Sequence, residues 1–318
     1  MRLILAFILG IWSAASLAQG GLDKPVRMLV PFSPGGSVDV IARLLADKMS
    51  ASMGTAIVVE NRVGAGSAIA SETLVKSVPD GSTLMMGSAS THGTNSAVYR
   101  NLSYDAVRDF APISMVARTP FILTINASAL ANTVRELIAL AKAKPGTLNY
   151  ASYGSGSSNH LVTELFKTMA GIDLVHVPYK GSRPALLAAV AGEAPVFMDA
   201  IQNTAGYIKA GKLKLLGVGT AARSPLLPET PTLSESGVPG FDATAYYGLF
   251  APANTPRAVV MRLNREVVRA LALADVRDRL TGMGNEIIGS TPEAFAEAVS
   301  AEVAKWQKLV RERGMKFD

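Results

Sequence analysis

Residues 30–39 read Val30-Pro31-Phe32-Ser33-Pro34-Gly35-Gly36-Ser37-Val38-Asp39. The run before them, residues 26–30, is apolar apart from Arg27, as in a strand covered on both faces. After them Val40, Ile41, Leu44 and Leu45 recur at the spacing of one helix face. The stretch therefore reads as a strand, a Gly-Gly loop and a helix. Pro31 and Pro34 stiffen the loop and remove two donors, whereas Gly35 and Gly36 permit positive φ and a close approach of backbone to a ligand. The first N–H groups of a helix lack intrahelical partners and sit at the positive end of its dipole, so this turn suits an anion such as a carboxylate. An ordinary βα turn uses the same residue types, and what separates the two readings is repetition.

Three further strand-to-helix connections are rich in small donors. Residues 87–93 carry Ser90, Thr91 and His92. Residues 152–160 carry Ser155, Gly156, Ser157, Ser158 and His160. Residues 178–182 carry Tyr179 and Ser182. Strand-like runs at 26–30, 57–59, 84–86, 121–125, 148–151, 174–177, 196–198, 213–218 and 247–250 alternate with helical ones, which predicts an α/β fold with largely parallel sheets. In such sheets ligands sit beyond the carboxyl ends of the strands, where all four loops lie. Thr133 with Glu136 forms a capping box, and Pro145-Gly146 stops that helix. Thr255-Pro256 opens a helix with Val260, Leu263, Val267 and Leu271 on one face. Thr291-Pro292 opens the last, with Phe295, Val299, Trp306 and Val310 toward the core and Gly314 as its stop.

Met1-Arg2, an apolar run over residues 3–17 and small residues ending at Ala18 form an export signal, with cleavage expected after Ala18. That run is shorter than the ~20 residues that span a bilayer. The chain has no cysteine, which excludes disulfides, thiolate metal sites, cysteine nucleophiles and a lipoprotein anchor. The expectation is a freely soluble exported protein of the periplasm. With 49% hydrophobic residues the mature chain exceeds a single core, so two lobes are expected. The net charge of +6 is scattered and has no basic block, which disfavours nucleic acid. No linker separates the lobes. Ordered strands at 116–125 and 244–250 are the candidates for two crossings, giving lobe 1 as residues 19–120 and 246–318 and lobe 2 as residues 121–245.

Enzyme signatures fail. Gly64-Ala65-Gly66 lacks the third glycine of a dinucleotide loop, as does the run from Gly154, and no G-x-S-x-G elbow occurs. Residues 206–212 keep a Walker A spacing until Leu213 stands where Ser or Thr must hold magnesium, and Gly211 reads as a helix C-cap. His92, His160 and His176 are too far apart for a helical metal pair and read as hydrogen-bonding residues near the loops. No cofactor or metal is expected. Ser157 and His160 have the residue types of a nucleophile and base, but a hydroxyl at a helix start also serves as a cap. Asp39 either complements the helix dipole or faces the ligand. Asp199, ending the strand at 196–198, either accepts a hydrogen bond from a ligand hydroxyl or amine or has no ligand role.

Lys24-Pro25-Val26-Arg27, residues 30–43, Val59-Glu60-Asn61-Arg62-Val63-Gly64-Ala65-Gly66, Pro79-Asp80-Gly81, Leu148-Asn149-Tyr150-Ala151-Ser152 and Val175-His176-Val177-Pro178-Tyr179-Lys180-Gly181 together resemble the Bug family. These are periplasmic receptors of tripartite tricarboxylate transporters. The resemblance covers essentially the whole mature chain, including Thr230-Pro231-Thr232-Leu233 and Ser290-Thr291-Pro292-Glu293. It implies a two-lobed periplasmic binding protein of type II-like form, each lobe a mainly parallel sheet flanked by helices, joined by two crossing strands. It also implies a receptor that is not an enzyme, closes on a small organic acid and delivers it transiently to integral membrane transporter subunits. The same fold serving a sensory partner, and a secreted hydrolase using Ser157 and His160, are the alternatives. The carboxylate is expected on Phe32, Ser33, Gly35 and Gly36, helped by ordered water, with Ser155, Gly156, Ser157 and Ser158 closing from the other lobe. Ser90, Thr91, Tyr179 and Asp199 complete the expected site. Glu193-Ala194-Pro195 and Asn203-Thr204-Ala205 depart from the family pattern at the far end of the pocket.

Overall fold

A computed structural model describes residues 24–64 and 67–317. The export signal expected over residues 1–18 lies outside them. The chain runs β1 (Val26–Val30), α1 (Ser37–Met53), β2 (Ile57–Asn61), α2 (Ala68–Val75) and β3 (Thr83–Ser88). A single π-helical turn, Ser90–Thr94, leads into the short α3 (Asn95–Val98) and then the long β4 (Phe110–Asn126). There follow α4 (Val134–Ala143), β5 (Asn149–Ser152), α5 (Ser158–Ala170), β6 (Val175–Pro178), α6 (Ser182–Ala191), β7 (Val196–Ala200), α7 (Ile201–Lys209) and β8 (Leu213–Val218). The chain returns through β9 (Thr244–Pro252), α8 (Arg257–Leu271), α9 (Ala274–Gly282), β10 (Glu286–Ile287) and α10 (Pro292–Glu312).

The molecule has two lobes that share β4. Its first part, through Pro120, pairs with β9, which in turn pairs with β3. From Phe121 onward β4 pairs instead with β7 on one side and, from Ile122, with β8 on the other. One 17-residue strand therefore belongs to both sheets. Parallel pairing holds for β1–β2, β1–β3, β5–β6 and β5–β7. Every pair made by β4 or β9 is antiparallel. The sheets are thus mixed where alternation along the chain predicts mainly parallel ones, because the strands that cross between lobes run against their neighbours.

Local sequence explains the elements around the cleft. In α1 the buried positions Val38, Ile41, Ala42, Leu45, Ala46 and Met49 form one stripe. It packs on Met28 and Val30 of β1 and Leu84 and Met86 of β3. Burying each large side chain here contributes roughly 1.5–3 kcal/mol. Gly54, at φ 68°, ends the helix and donates to the Ser50 carbonyl. The expected cap forms, with Thr133 Oγ1 accepting from the Glu136 N–H at 3.1 Å, while Glu136 Oε2 reaches one residue past the cap to accept from the Asn132 N–H at 2.7 Å. Gly211 sits at φ 66° just beyond α7 and donates to the Ile208 carbonyl, so residues 206–212 are a helix end.

The last helix does more than cover one core. Phe295 and Val299 join the outer core of lobe 1 with Leu29, Met85 and Phe250. Two turns further on, Trp306 and Leu309 join the core of lobe 2 with Phe121, Phe166 and Phe241. Besides β4 and β9, α10 therefore connects the lobes. Its close approach to β9 explains Gly248, where a Cβ would stand 2.1 Å from Phe295 Cζ.

Candidate functional site

The loop between β1 and α1 is held from beneath. Asp39, the third residue of α1, accepts from the Gly35 N–H at 2.9 Å and from Arg43 Nε at 3.0 Å. Asn61, at the end of β2, donates to Asp39 Oδ1 at 2.8 Å and to the Phe32 carbonyl at 2.9 Å, and accepts from Arg43 at 2.9 Å. Burial alone would raise the Asp39 pKa; the Arg43, Gly35 and Asn61 donors overcome that and hold it at about 2. Gly35, at φ 84°, turns its N–H inward to this carboxylate. Intrahelical bonding leaves the N–H groups of Gly36, Ser37, Val38 and Asp39 unused at the start of α1, and the first three of these residues line the cleft. Asp39 therefore positions the loop, and Gly35 serves the site through its conformation rather than as a donor.

Above this loop lies a cavity of about 300 Å³. Lobe 1 lines it with Phe32, Gly36, Ser37 and Val38 from the first loop and Ser88, Ala89 and Ser90 from the end of β3. Ser158 at the start of α5 closes it from lobe 2, and Ala245, Tyr246 and Tyr247 of β9 form its floor. A second cavity of about 260 Å³ adjoins it through Ser90 and Ser158 and is lined by Tyr153, Gly154, Ser155, Gly156 and Ser157 on one side and Ser67, Thr94, Asn95, Val98 and Tyr99 on the other. Among the described residues neither lining contains a charged side chain. Two helix N-termini, those of α1 and α5, thus meet the same uncharged cleft. Their dipoles favour an anion there, and charge-assisted N–H bonds are about twice as strong as neutral ones. A larger groove, about 730 Å³, lies on lobe 1 between residues 96–109 and α10, and contains Arg100 and the Arg108–Asp105 pair. None of the four strand-to-helix loops borders it.

Of the residues expected from sequence, Phe32, Gly36, Ser90, Ser155, Gly156, Ser157 and Ser158 line the two cavities. The others do not. Ser33 is exposed and lines neither cavity. Thr91 is fully buried, where its hydroxyl donates to the Ser88 carbonyl and accepts from the Ser88 N–H. Tyr179 sends its hydroxyl toward Glu193, and burial, with the Glu193 charge, raises the phenol pKa. Asp199 is 1% exposed and already receives donors from Tyr153, Ser182, Asn203 and the Ala200 N–H. Burial raises its pKa, and those donors offset part of the rise. These donors tie the 153 and 182 loops to Asp199.

The floor of the cleft was not legible as a site. Tyr246 and Tyr247 belong to the strand read only as a crossing, and a Tyr-Tyr pair in a strand carries no signal beyond β propensity. The Tyr247 phenol is buried, which raises its pKa, with Ser37 and Thr119 of lobe 1 and Gln202 of lobe 2 beside it as donors. Ser157 and His160 do not form a dyad: Ser157 Oγ donates to the Gly154 carbonyl at 2.6 Å, and His160 Nδ1 accepts from the Gly156 N–H at 3.0 Å. His92 is wholly buried, bonded through Nδ1 to Thr91 Oγ1 at 2.8 Å and stacked 3.7 Å from Phe250. Among the described residues no group of acids and histidines could hold a metal ion, and no helix is long and apolar enough to cross a membrane.

Residues 41–315 match the tripartite tricarboxylate transporter family receptor, TctC. The chain is 38% identical over 316 residues to the UPF0065 protein in the tcbD-tcbE intergenic region of Pseudomonas sp. strain P51, covering 98% of this chain and 94% of that one. It is 34% identical to protein BugT of Bordetella pertussis over 92% of this chain and 90% of that one. Among solved structures, Rpa4515 of R. palustris with adipate superposes with a TM-score of 0.78 at 36% identity, covering 93% and 99% of the two chains. MatC of Rhodopseudomonas palustris with bound malate gives 0.74 at 34% identity, covering 90% and 99%. The matched family is one of receptors and not of enzymes. The chain belongs to the TctC family of tripartite tricarboxylate transporter receptors.

Proposed function

We propose that this chain is an exported periplasmic receptor that captures a small organic carboxylate between its lobes and delivers it to the membrane subunits of a tripartite tricarboxylate transporter. The observation that carries the reading is the pair of helix N-termini, at Gly36–Ser37 and at Ser158, facing one uncharged cleft. Adipate and malate in the related receptors support a carboxylate as the ligand. The acid group sits on the α1 N–H groups first. Lobe 2 then brings Ser155, Gly156, Ser157 and Ser158 over it.

In this reading lobe 1 comprises residues 19–120 and 246–318, and lobe 2 residues 121–245. The change of partners along β4 at Phe121 supports that division. Closure turns on β4 and β9, and α10 must bend or slide with it, since it is anchored in both cores. Such a hinge motion gains only the differential affinity of the ligand for the closed form.

A thermal-shift panel of mono-, di- and tricarboxylates tests the function. Ligand at 100 times its dissociation constant stabilises the native state by about 2.7 kcal/mol. Gly36→Glu should abolish that shift with little loss of fold, because a Cβ at Gly36 meets only the Ser33 carbonyl at 3.6 Å and φ there is −74°. A Gly36→Glu protein that binds the same acid as tightly as wild type removes the α1 loop from the site.

A further inference from the structure

The two cleft loops are anchored by the same device with different chemistry. In α1 the third helical residue, Asp39, reaches back to accept the N–H of Gly35, four residues earlier, and that glycine has φ 84°. In α5 the third helical residue, His160, reaches back through Nδ1 to accept the N–H of Gly156, four residues earlier, and that glycine has φ 77°. The arrangement resembles a capping box shifted by one residue, in which the third side chain satisfies a donor ahead of the helix. Only a neutral imidazole can do this, since a protonated ring has no acceptor.

The imidazole is braced. His176 of β6 stacks on it at 3.9 Å and 7°. His176 Nε2 meets Ser152 Oγ at 2.6 Å, and that oxygen accepts from the Gly154 N–H at 3.1 Å. Both glycines of the loop therefore lead to the stacked pair, Gly156 directly and Gly154 through Ser152. Tyr150 of β5 stacks beyond His176 at 5.0 Å, and Phe317, after α10, sets its ring edge to His160 at 5.9 Å. The charged groups around the pair are Glu164 and Lys167 of α5, joined at 2.6 Å, with Arg313 from the end of α10 3.5 Å from Glu164 and Asp173 3.9 Å from Lys167. Burial, aided by His176 and Lys167 and opposed by Glu164, lowers the His160 pKa to about 4. Burial also lowers that of His176, with Glu164 raising and Lys167 lowering it.

We propose that His160, braced by His176, is the positioning residue of the lobe 2 binding loop, and that it holds Gly156 and the Ser155–Ser158 wall only while the imidazole pair is neutral. Lobe 1 uses a carboxylate that stays charged down to strongly acidic pH. Lobe 2 uses a base that acid converts into a donor, facing another donor and a second cation. Acid therefore loosens one wall of the cleft and leaves the other intact. The inference rests on the carboxylate-receptor reading for its effect on affinity, but not for its effect on the loop.

The test measures the amide-exchange protection factor of Gly156 in the ligand-free protein between pH 7.5 and pH 3, a range that spans the His160 pKa of about 4, together with adipate binding. Three proteins are compared: wild type, His160→Asn, which keeps an acceptor near the Nδ1 position without titrating, and His160→Phe, which keeps ring volume and stacking without an acceptor. Wild type should lose Gly156 protection as His160 protonates, His160→Asn should keep it throughout, and His160→Phe should lack it at every pH. Loss of the one hydrogen bond should weaken adipate about five- to tenfold in His160→Phe at pH 7.5. Between pH 7.5 and 3 adipate affinity should fall further in wild type than in His160→Asn, which sees the same change in the acid itself. Full Gly156 protection in His160→Phe, or pH-independent protection in wild type, overturns the proposal. If Gly36→Glu and wild type bind adipate equally, or wild type does not bind it, the receptor reading or its ligand is at fault, and the exchange data still decide the role of His160.

Discussion

Replacing Asp39 by Asn tests how the α1 loop is held. The substitution keeps the shape and one acceptor but removes the charge that receives Gly35, Arg43 and Asn61. The Asp39 pKa of about 2, against an ordinary 3.8, corresponds to roughly 2.5 kcal/mol in favour of the carboxylate. Arg43 is 50% exposed, so water screens part of this and about 1–2 kcal/mol is the expected cost. The sign follows from linkage: a carboxylate whose folded pKa is depressed stabilises fully above its unfolded pKa and loses that stability as pH falls toward the folded value. Urea unfolding of wild type and Asp39→Asn should therefore differ by about 1–2 kcal/mol from pH 7 down to pH 5 and converge as pH approaches 2. Carboxylate affinity should fall as well, because the freed Gly35 peptide no longer fixes the Gly36 and Ser37 N–H groups. Equal stabilities at pH 7, or a difference that does not shrink in acid, would refute the reasoning.

Two more expectations concern the body of the fold. His92 is wholly buried, and burial lowers its pKa to about 3, so its neutral form belongs to the folded state and the stability it carries is lost as pH falls from about 6.5. At pH 5 that is roughly 2 kcal/mol, and urea titrations at pH 7 and pH 5 should show His92→Phe losing less stability than wild type over that interval. Trp306→Ala removes the side chain that fixes α10 in the lobe 2 core, and should cost about 3–5 kcal/mol in denaturant unfolding.

Much of the cleft was legible because its signals are local. A strand, a pair of glycines and an amphipathic helix predict the α1 loop from one short window, and Ser90 and Ser158 follow from the same pattern in two others. What escaped depends on pairing across the chain. The crossing strand read from residue 116 in fact begins at Phe110, with register shifts between Pro112 and Ser114 and between Met115 and Ala117 where it pairs with β9. Asp199 reads as a free acid at a strand end until Tyr153, Ser182 and Asn203 are seen to enclose it. The α10 stripe reads as one core face, although its two halves enter different lobes. The role of His160 needs the position of Gly156, and the stacking of His176 needs β5 and β6 side by side.

The central claim is that the backbone at the start of α1 receives the carboxylate. An amide chemical-shift titration with the acid that gives the largest thermal shift measures this directly. The account predicts that the Gly36 and Ser37 amide protons move downfield, with Ser158 following as lobe 2 closes. Saturable shifts confined to the lobe 1 groove around Tyr99, Arg100 and Arg108, with Gly36 and Ser37 unmoved, would contradict it.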